Sequence, residues 1–243
     1  MMKFLPTTLC CALMIGTAQA DDHWYGALSG GATLLDDDFS AHGLDYNGQS
    51  LPNTRLHGDF GTGYFAGAAI GRTLGDHWRL ETEFMYHEND LDNIKVRADG
   101  GLGAALGGSS VAGARLGGHG DFETTSLIEN AFYDFHYGSF RPYFGAGIGV
   151  AHVTINDARI THLQRLQALA PVNDAALVDS GDTVFAYQIG AGIAYPICPR
   201  LMASIDYRFL DAVDPGFHGD TSLANFHTQY RTNNVGVSLR FDF

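Results

Sequence analysis

Along most of its length this chain alternates, residue by residue, between large apolar side chains and small or polar ones. The last nine residues, VGVSLRFDF, place Val235, Val237, Leu239, Phe241 and Phe243 on one side and Gly236, Ser238, Arg240 and Asp242 on the other. A period of two is the signature of a β-strand, whose successive side chains point to opposite faces. Eight such segments are expected, at about 23–34, 61–74, 78–89, 124–138, 141–156, 183–196, 200–211 and 230–243. In the third, Trp78, Leu80, Thr82, Phe84 and Tyr86 share a face, against Arg79, Glu81, Glu83, Met85 and His87. In the sixth, Phe185, Tyr187, Ile189, Ala191, Ile193 and Tyr195 oppose Val184, Ala186, Gln188, Gly190, Gly192 and Ala194.

Two faces of such different character must meet two different environments. A water-soluble barrel fills its interior with the bulky residues and turns its charges outward. Eight strands, however, enclose only a narrow interior, which glycine, serine and paired charges can fill. The bulky face then needs an apolar solvent, which is lipid. Aromatics gather toward segment ends (Trp78 and Tyr86, Phe185 and Tyr195, Tyr143, Phe243), as interfacial girdles require. The 31 glycines fit the same reading.

The connections alternate as well. Short ones are expected at Gly75-Asp76-His77, Gly138-Ser139-Phe140 and Ile197-Cys198-Pro199, and long ones at about 35–60, 90–123, 157–182 and 212–229. A single up-and-down barrel with both termini on one side of a membrane predicts this order. The expected fold class is therefore all-β, an eight-stranded antiparallel transmembrane barrel with four long external loops and three short periplasmic turns.

The N-terminus, MMKFLPTTLCCALMIGTAQA, has one Lys, an apolar stretch and a small-x-small site at Ala18-Gln19-Ala20. It reads as a signal peptide over 1–20, cleaved near Ala20, with the barrel domain at 21–243. Cleavage removes Lys3, Cys10 and Cys11 and leaves 13 basic against 27 acidic residues, a net charge of −14. Such a charge argues against nucleic acid as a partner. Cys198 alone rules out a disulfide framework in the processed chain. No stretch of the processed chain is long and apolar enough for a transmembrane helix.

Candidate chemistry is sparse. The inward charges Arg79, Glu81, Glu83, Asp134, Asp206, Arg208, Arg240 and Asp242 are expected to form a structural network, because buried charges must be paired. An ion path along them is the competing reading, disfavoured by the narrow lumen. Gly145-Ala146-Gly147-Ile148-Gly149 lacks the helix that a phosphate-binding loop needs, so its glycines are assigned to crowded inward positions. The 11 histidines show no metal-binding spacing, and Asp36-Asp37-Asp38 and Asp90-Leu91-Asp92 lack a calcium-loop pattern. The nearest serine–histidine candidates, Ser222 with His227 and Ser126 with His136, have no adjacent hydrolase arrangement. No metal, cofactor or catalytic residue is expected, and the chain is read as non-enzymatic. Asp99 to Asp121 is expected to be a flexible glycine-rich loop. Ile160, Leu163, Leu166 and Ala170 suggest a short amphipathic helix over 158–171, capped by Asn156 or Asp157.

The stretches RLETEF (79–84), PYFGAGIGVA (142–151), FAYQIGAGIAYPI (185–197), ASIDYRFLD (203–211) and the terminal VSLRFDF resemble the eight-stranded outer-membrane β-barrels of Gram-negative bacteria, of the opacity/surface-antigen and OmpA-like type. The resemblance implies location in the outer membrane, among lipid and lipopolysaccharide. It implies a surface-exposed structural, adhesion or ligand-contact role through the loops, with a host or surface ligand as partner. A small porin-like channel is the alternative, and a lipid-modifying enzyme a more remote one. The resemblance also implies that Phe243, with Phe241 behind it, is the C-terminal aromatic signal read by the barrel assembly machinery. Phe243→Ala is therefore expected to lower the assembled protein several-fold at unchanged synthesis, measured by quantifying the protein in isolated outer membranes. Equal amounts would remove that role.

Overall fold

The computed structural model describes residues 22–35, 44–46, 49–51, 54–98, 115–161, 175–176, 180–213, 215–217, 223–224, 226–227 and 230–243. The expected signal peptide lies outside the described residues. Eight long strands dominate: β1 (Trp24–Leu35), β2 (Thr62–Leu74), β3 (Trp78–Ala98), β4 (Arg115–Asp134), β5 (Arg141–Thr161), β6 (Ser180–Cys198), β7 (Leu201–Ala212) and β8 (Tyr230–Asp242). Each pairs antiparallel with its neighbour in sequence, and β8 pairs with β1, so the sheet closes.

The register fixes the shape of the barrel. From Tyr25 the cross-strand partners run through Gly71, Glu81, Asn130, Gly147, Gln188, Leu210 and Thr232, and return to β1 at Leu35. The circuit therefore closes with a stagger of ten residues (35 − 25) over eight strands. With a rise of about 3.3 Å per residue and about 4.8 Å between strands, this stagger tilts the strands by about 40° and gives a radius of about 8 Å.

So narrow a tube has little room inside, and the glycine-rich inward positions answer to that. A β-carbon added at Gly147 would strike the side chains of Asn130 and Ile128, and one at Gly149 would strike the carbonyl oxygen of Leu127. The GAGIG stretch is barrel wall. Two other glycines turn the chain: Gly75 and Gly138 have φ of 64° and 62°, a left-handed conformation open to glycine at little cost. Both sit in the short connections.

The outer surface is the bulky one. Leu28, Ile205 and Val237 are each more than three-fifths exposed, at 66%, 67% and 61%. That is the burial of a soluble core turned outward. At the end that carries the short turns, Trp24, Trp78, Tyr133, Tyr195 and Phe241 ring the barrel, with Phe243 beyond them. Toward the other end stand Tyr64, Tyr86 and Tyr187. Their hydroxyls donate to rim carboxylates: Tyr64 and Tyr86 to Glu88 at 2.5 and 2.7 Å, and Tyr187 to Asp211 at 2.7 Å. These are amphipathic rings with one end in lipid and one at a polar surface. Tyr143, expected among the girdle residues, instead points inward and is buried. Its parity with Gly145 and Gly147 puts it on the lumen side.

The strands run further than the alternation indicated at one end. The fourth begins at Arg115 and stops at Asp134, where 124–138 was expected. Residues 115–121 of the expected flexible loop are thus strand, and 99–114 lie outside the described residues. At its other end the Tyr137–Phe140 bridge and the Gly138 turn break the ladder. Asp90 and Asp92 lie within β3, and Asp36 to Asp38 lie outside the described residues. The helix expected over 158–171 does not begin there: Arg159, Ile160 and Thr161 continue β5 and pair with His119, Gly118 and Gly117. Ladder pairing beside β4 outweighs a three-residue apolar spacing that few residues carry. Residues 162–174 lie outside the described set. Among the described residues there is no helix.

The ten-residue stagger yields a measurement. Polarised infrared spectroscopy of the protein in oriented bilayers is expected to give a mean strand tilt of about 40°. A tilt below about 30° would contradict the register.

Candidate functional site: a filled lumen

The lumen divides into two layers. The half nearer the loops holds a buried apolar cluster with Phe122, Ile128, Val153, Ile155, Leu210 and Tyr230, beside buried polar side chains that include Thr33, His87, Asn89, Thr124 and Asn234. The half nearer the turns is charged. It draws on β1, β3, β4, β7 and β8, because each carries a polar residue at the inward parity.

Arg79 is the first hub. It is buried, and its Nε donates to Asp134 Oδ2 at 2.7 Å. Its Nη1 lies 3.8 Å from Glu81 Oε2 and donates to the Tyr25 hydroxyl at 3.3 Å. The Tyr25 hydroxyl in turn donates to Glu81 at 2.9 Å. The Arg79 guanidinium also stands over the rings of Phe132 and Tyr143, 4.8 and 5.0 Å from their centroids, where the ring quadrupole attracts a cation.

Arg208 is the second hub. Its Nη1 pairs closely with Glu83 Oε1, and its Nε lies 3.2 Å from Asp206. Glu83 Oε2 accepts from Asn130 at 3.1 Å and from Gln188 at 3.0 Å. Asp206 Oδ2 accepts from Ser238 at 2.7 Å and Ser204 at 3.2 Å. Arg240 links the system to the turn end, 3.8 Å from Asp134 and 3.3 Å from the half-buried Asp242. The eight inward charges named from the sequence thus lie in two sets of contacts, which Tyr143 joins: its ring stands beside Arg79 and its hydroxyl donates to Ser204 at 3.4 Å. Tyr25, Asn130, Gln188, Ser204 and Ser238 complete the sets. They share the inward parity, but being uncharged they do not announce themselves in a sequence.

The arrangement is suited to holding strands together. Its members come from strands far apart in the chain, and each hub satisfies carboxylates that would otherwise be buried alone. The buried side chains of both halves occupy the narrow tube. The candidate nucleophile Ser126 is buried in the lumen, whereas His136 is exposed beyond the end of β4, so the two do not meet. Ser222 lies outside the described residues. Among the described residues, no group of three metal-ligating side chains comes together. At the C-terminus, Phe241 and Phe243 are exposed outward. The Phe243 amide donates to the Trp24 carbonyl at 2.8 Å, which locks the last residue beside the first strand.

One outward residue breaks the apolar belt. Glu129 is exposed on the outer face of β4, opposite Thr82 and Ile148. The Thr82 hydroxyl donates to Glu129 Oε1 at 2.8 Å. Leu127, Ala131 and Tyr133 share its parity and mark it as outward, although a single carboxylate in that row does not announce itself in the sequence.

Residues 7–243 match the protein family described as outer membrane protein beta-barrel domain. Outer membrane protein PagN of Salmonella typhimurium is 25% identical over 199 residues, covering 80% of this chain and 75% of that protein. Among solved structures, the outer membrane protein OprG from Pseudomonas aeruginosa aligns with a TM-score of 0.51 at 15% identity, covering 92% of this chain and 98% of that one. Neisserial surface protein A aligns at 0.49 and 14% identity, over 90% and 96% of the two chains. The likeness to OprG concerns the fold.

The second hub gives a stability test. Arg208→Met leaves Glu83 buried without its cation and is expected to cost roughly 3–5 kcal/mol. Adding Glu83→Gln to that variant should recover much of the loss. Urea unfolding of the bilayer-inserted protein, followed by tryptophan fluorescence, measures both.

Proposed function

From the premise that this chain belongs to the outer-membrane β-barrel protein family, we propose that it is a non-enzymatic surface protein. It makes contact with a host or surface ligand through the elements at its loop end. The outer membrane's lipid and lipopolysaccharide are its surroundings. Residues 1–20 serve as the signal peptide, cleaved near Ala20. Phe243, with Phe241, is the signal for the barrel assembly machinery.

One observation carries this reading: the barrel is built unequally at its two ends. β3 to β6 have 21, 20, 21 and 19 residues, whereas β1, β2, β7 and β8 have 12 or 13. The excess lies at the loop end, since the short turns hold the other ends together. Four adjacent strands therefore stand as a wall above the outer girdle. Thr54–Phe60 adds a further strand to this wall by pairing with β3. The first and last long connections also meet, where Leu223 and Ala224 pair with Tyr46 and Asp45. Ordered backbone of this extent serves no need of the membrane span, for which about ten residues per strand suffice. It is suited to presenting a surface.

The side chains that occupy the narrow lumen argue against the channel alternative. Deleting 99–114 and 162–174, which join strands of the wall, is expected to abolish cell adhesion and leave the barrel folded. The purified protein is expected to show no reproducible single-channel conductance. Wild-type adhesion by the deletion variant would sink the contact role, and steady conductance would restore the pore.

A further inference from the structure

Glu129 sits where a carboxyl group is least at home. Its cross-strand partner Thr82 lies four residues from Trp78 and four from Tyr86, the girdle aromatics at the two ends of that strand's outer face. Glu129 itself lies four residues from Tyr133 of the turn-end girdle. The side chain is thus at the middle of the hydrocarbon belt, and it is exposed. Lipid tails offer it no hydrogen bond. An ionisable residue inside a membrane ordinarily faces a partner.

The barrel supplies half of one. Thr82 donates to one oxygen of the carboxyl group, and no described side chain bonds the other. No described outward cation stands at this height. Arg72 is held at the turn-end girdle by Asp22 at 3.0 Å, and Arg231 at the loop end by Asp211 at 2.9 Å. A neutral carboxyl group carries one donor and one acceptor, so it complements another copy of itself.

We infer that the outer face of β3 and β4 around Glu129 docks a second copy of this chain, with the two Glu129 carboxyls hydrogen-bonded to each other at the bilayer midplane. Two observations select this occupant. A two-fold axis along the membrane normal keeps every residue at its own depth, so it brings midplane Glu129 against midplane Glu129. Small residues also surround the carboxyl, namely Thr82 beside it, Ala131 two residues on and Ala146 diagonally across. They form a shallow site between Phe84, Leu127 and Ile148, and small side chains let two membrane surfaces approach closely.

The natural thiol provides the probe. Cys198 is exposed at the end of β6, beside the turn to β7 and away from β3 and β4, so a dye there leaves the interface free. Residues 21–243, labelled with donor or acceptor dye and inserted into phospholipid vesicles, are expected to show energy transfer that unlabelled protein dilutes away. Glu129→Leu is expected to raise the dissociation constant about tenfold, the effect of losing two inter-barrel hydrogen bonds. Glu129→Gln keeps a donor and an acceptor and should still associate. Both variants should fold, since neither adds charge to the lipid face, and a heat-dependent gel shift checks this. Monomeric wild type at all protein-to-lipid ratios would overturn the proposal. So would wild-type association in Glu129→Leu.

Discussion

Hydrocarbon cannot hydrogen-bond a peptide group, and the rest of this structure follows from that. Every N–H and C=O that crosses the membrane must find its partner within the chain, and a sheet does this only by closing on itself. The pairing of β8 with β1 is that closure. The stagger of ten residues then sets tilt and radius together, and the radius sets what the interior can hold. Large side chains are displaced outward, where the solvent is apolar. Glycine and alanine line the wall, and the remaining space is filled by long polar chains that satisfy one another.

The lumen network is therefore a consequence of closure more than a site added to it. Arg79 and Arg208 reach across the tube to carboxylates on other strands, and serine, asparagine and glutamine donate to several of the same carboxylate oxygens. A half-satisfied arrangement would be worse than an apolar core, because a lone buried charge costs several kcal/mol. Above it lie the apolar cluster of Phe122, Val153 and Tyr230 and buried polar side chains such as His87 and Asn89. With its interior occupied in this way, the molecule has only its outside and its rim left for interaction with other molecules. The extended wall of β3 to β6 is one such surface.

The spans were legible in the sequence because the period of two is enforced by lipid on one side and crowding on the other. Parity alone placed Arg79, Glu83 and Arg208 inside and Phe84, Ile189 and Val237 outside. Parity does not report partners, so the pairing of Arg208 with Glu83, 125 residues apart, appears only in the structure. The turns themselves were legible on the turn side, where Gly75 and Gly138 mark two of them, although β4 stops at Asp134, short of Gly138. Strand ends were not legible on the loop side, where β3 to β5 continue past the membrane and no lipid enforces alternation. Of the run from Ile160, only Ile160 and Thr161 are described, and there the backbone completes a ladder with β4. Tyr143 was misplaced by its aromatic character, against its parity. Glu129 went unnoticed because a single polar residue in an outward row resembles noise until its depth is known.

The account rests on the bulky face being outside. The most direct measurement compares gel mobility before and after boiling for the protein in isolated outer membranes. A closed barrel is expected to stay folded in detergent and run at a different position until heated. A protein recovered from the soluble periplasm, with one mobility under both conditions, would mean that the bulky face is the core of a soluble fold and would contradict the account.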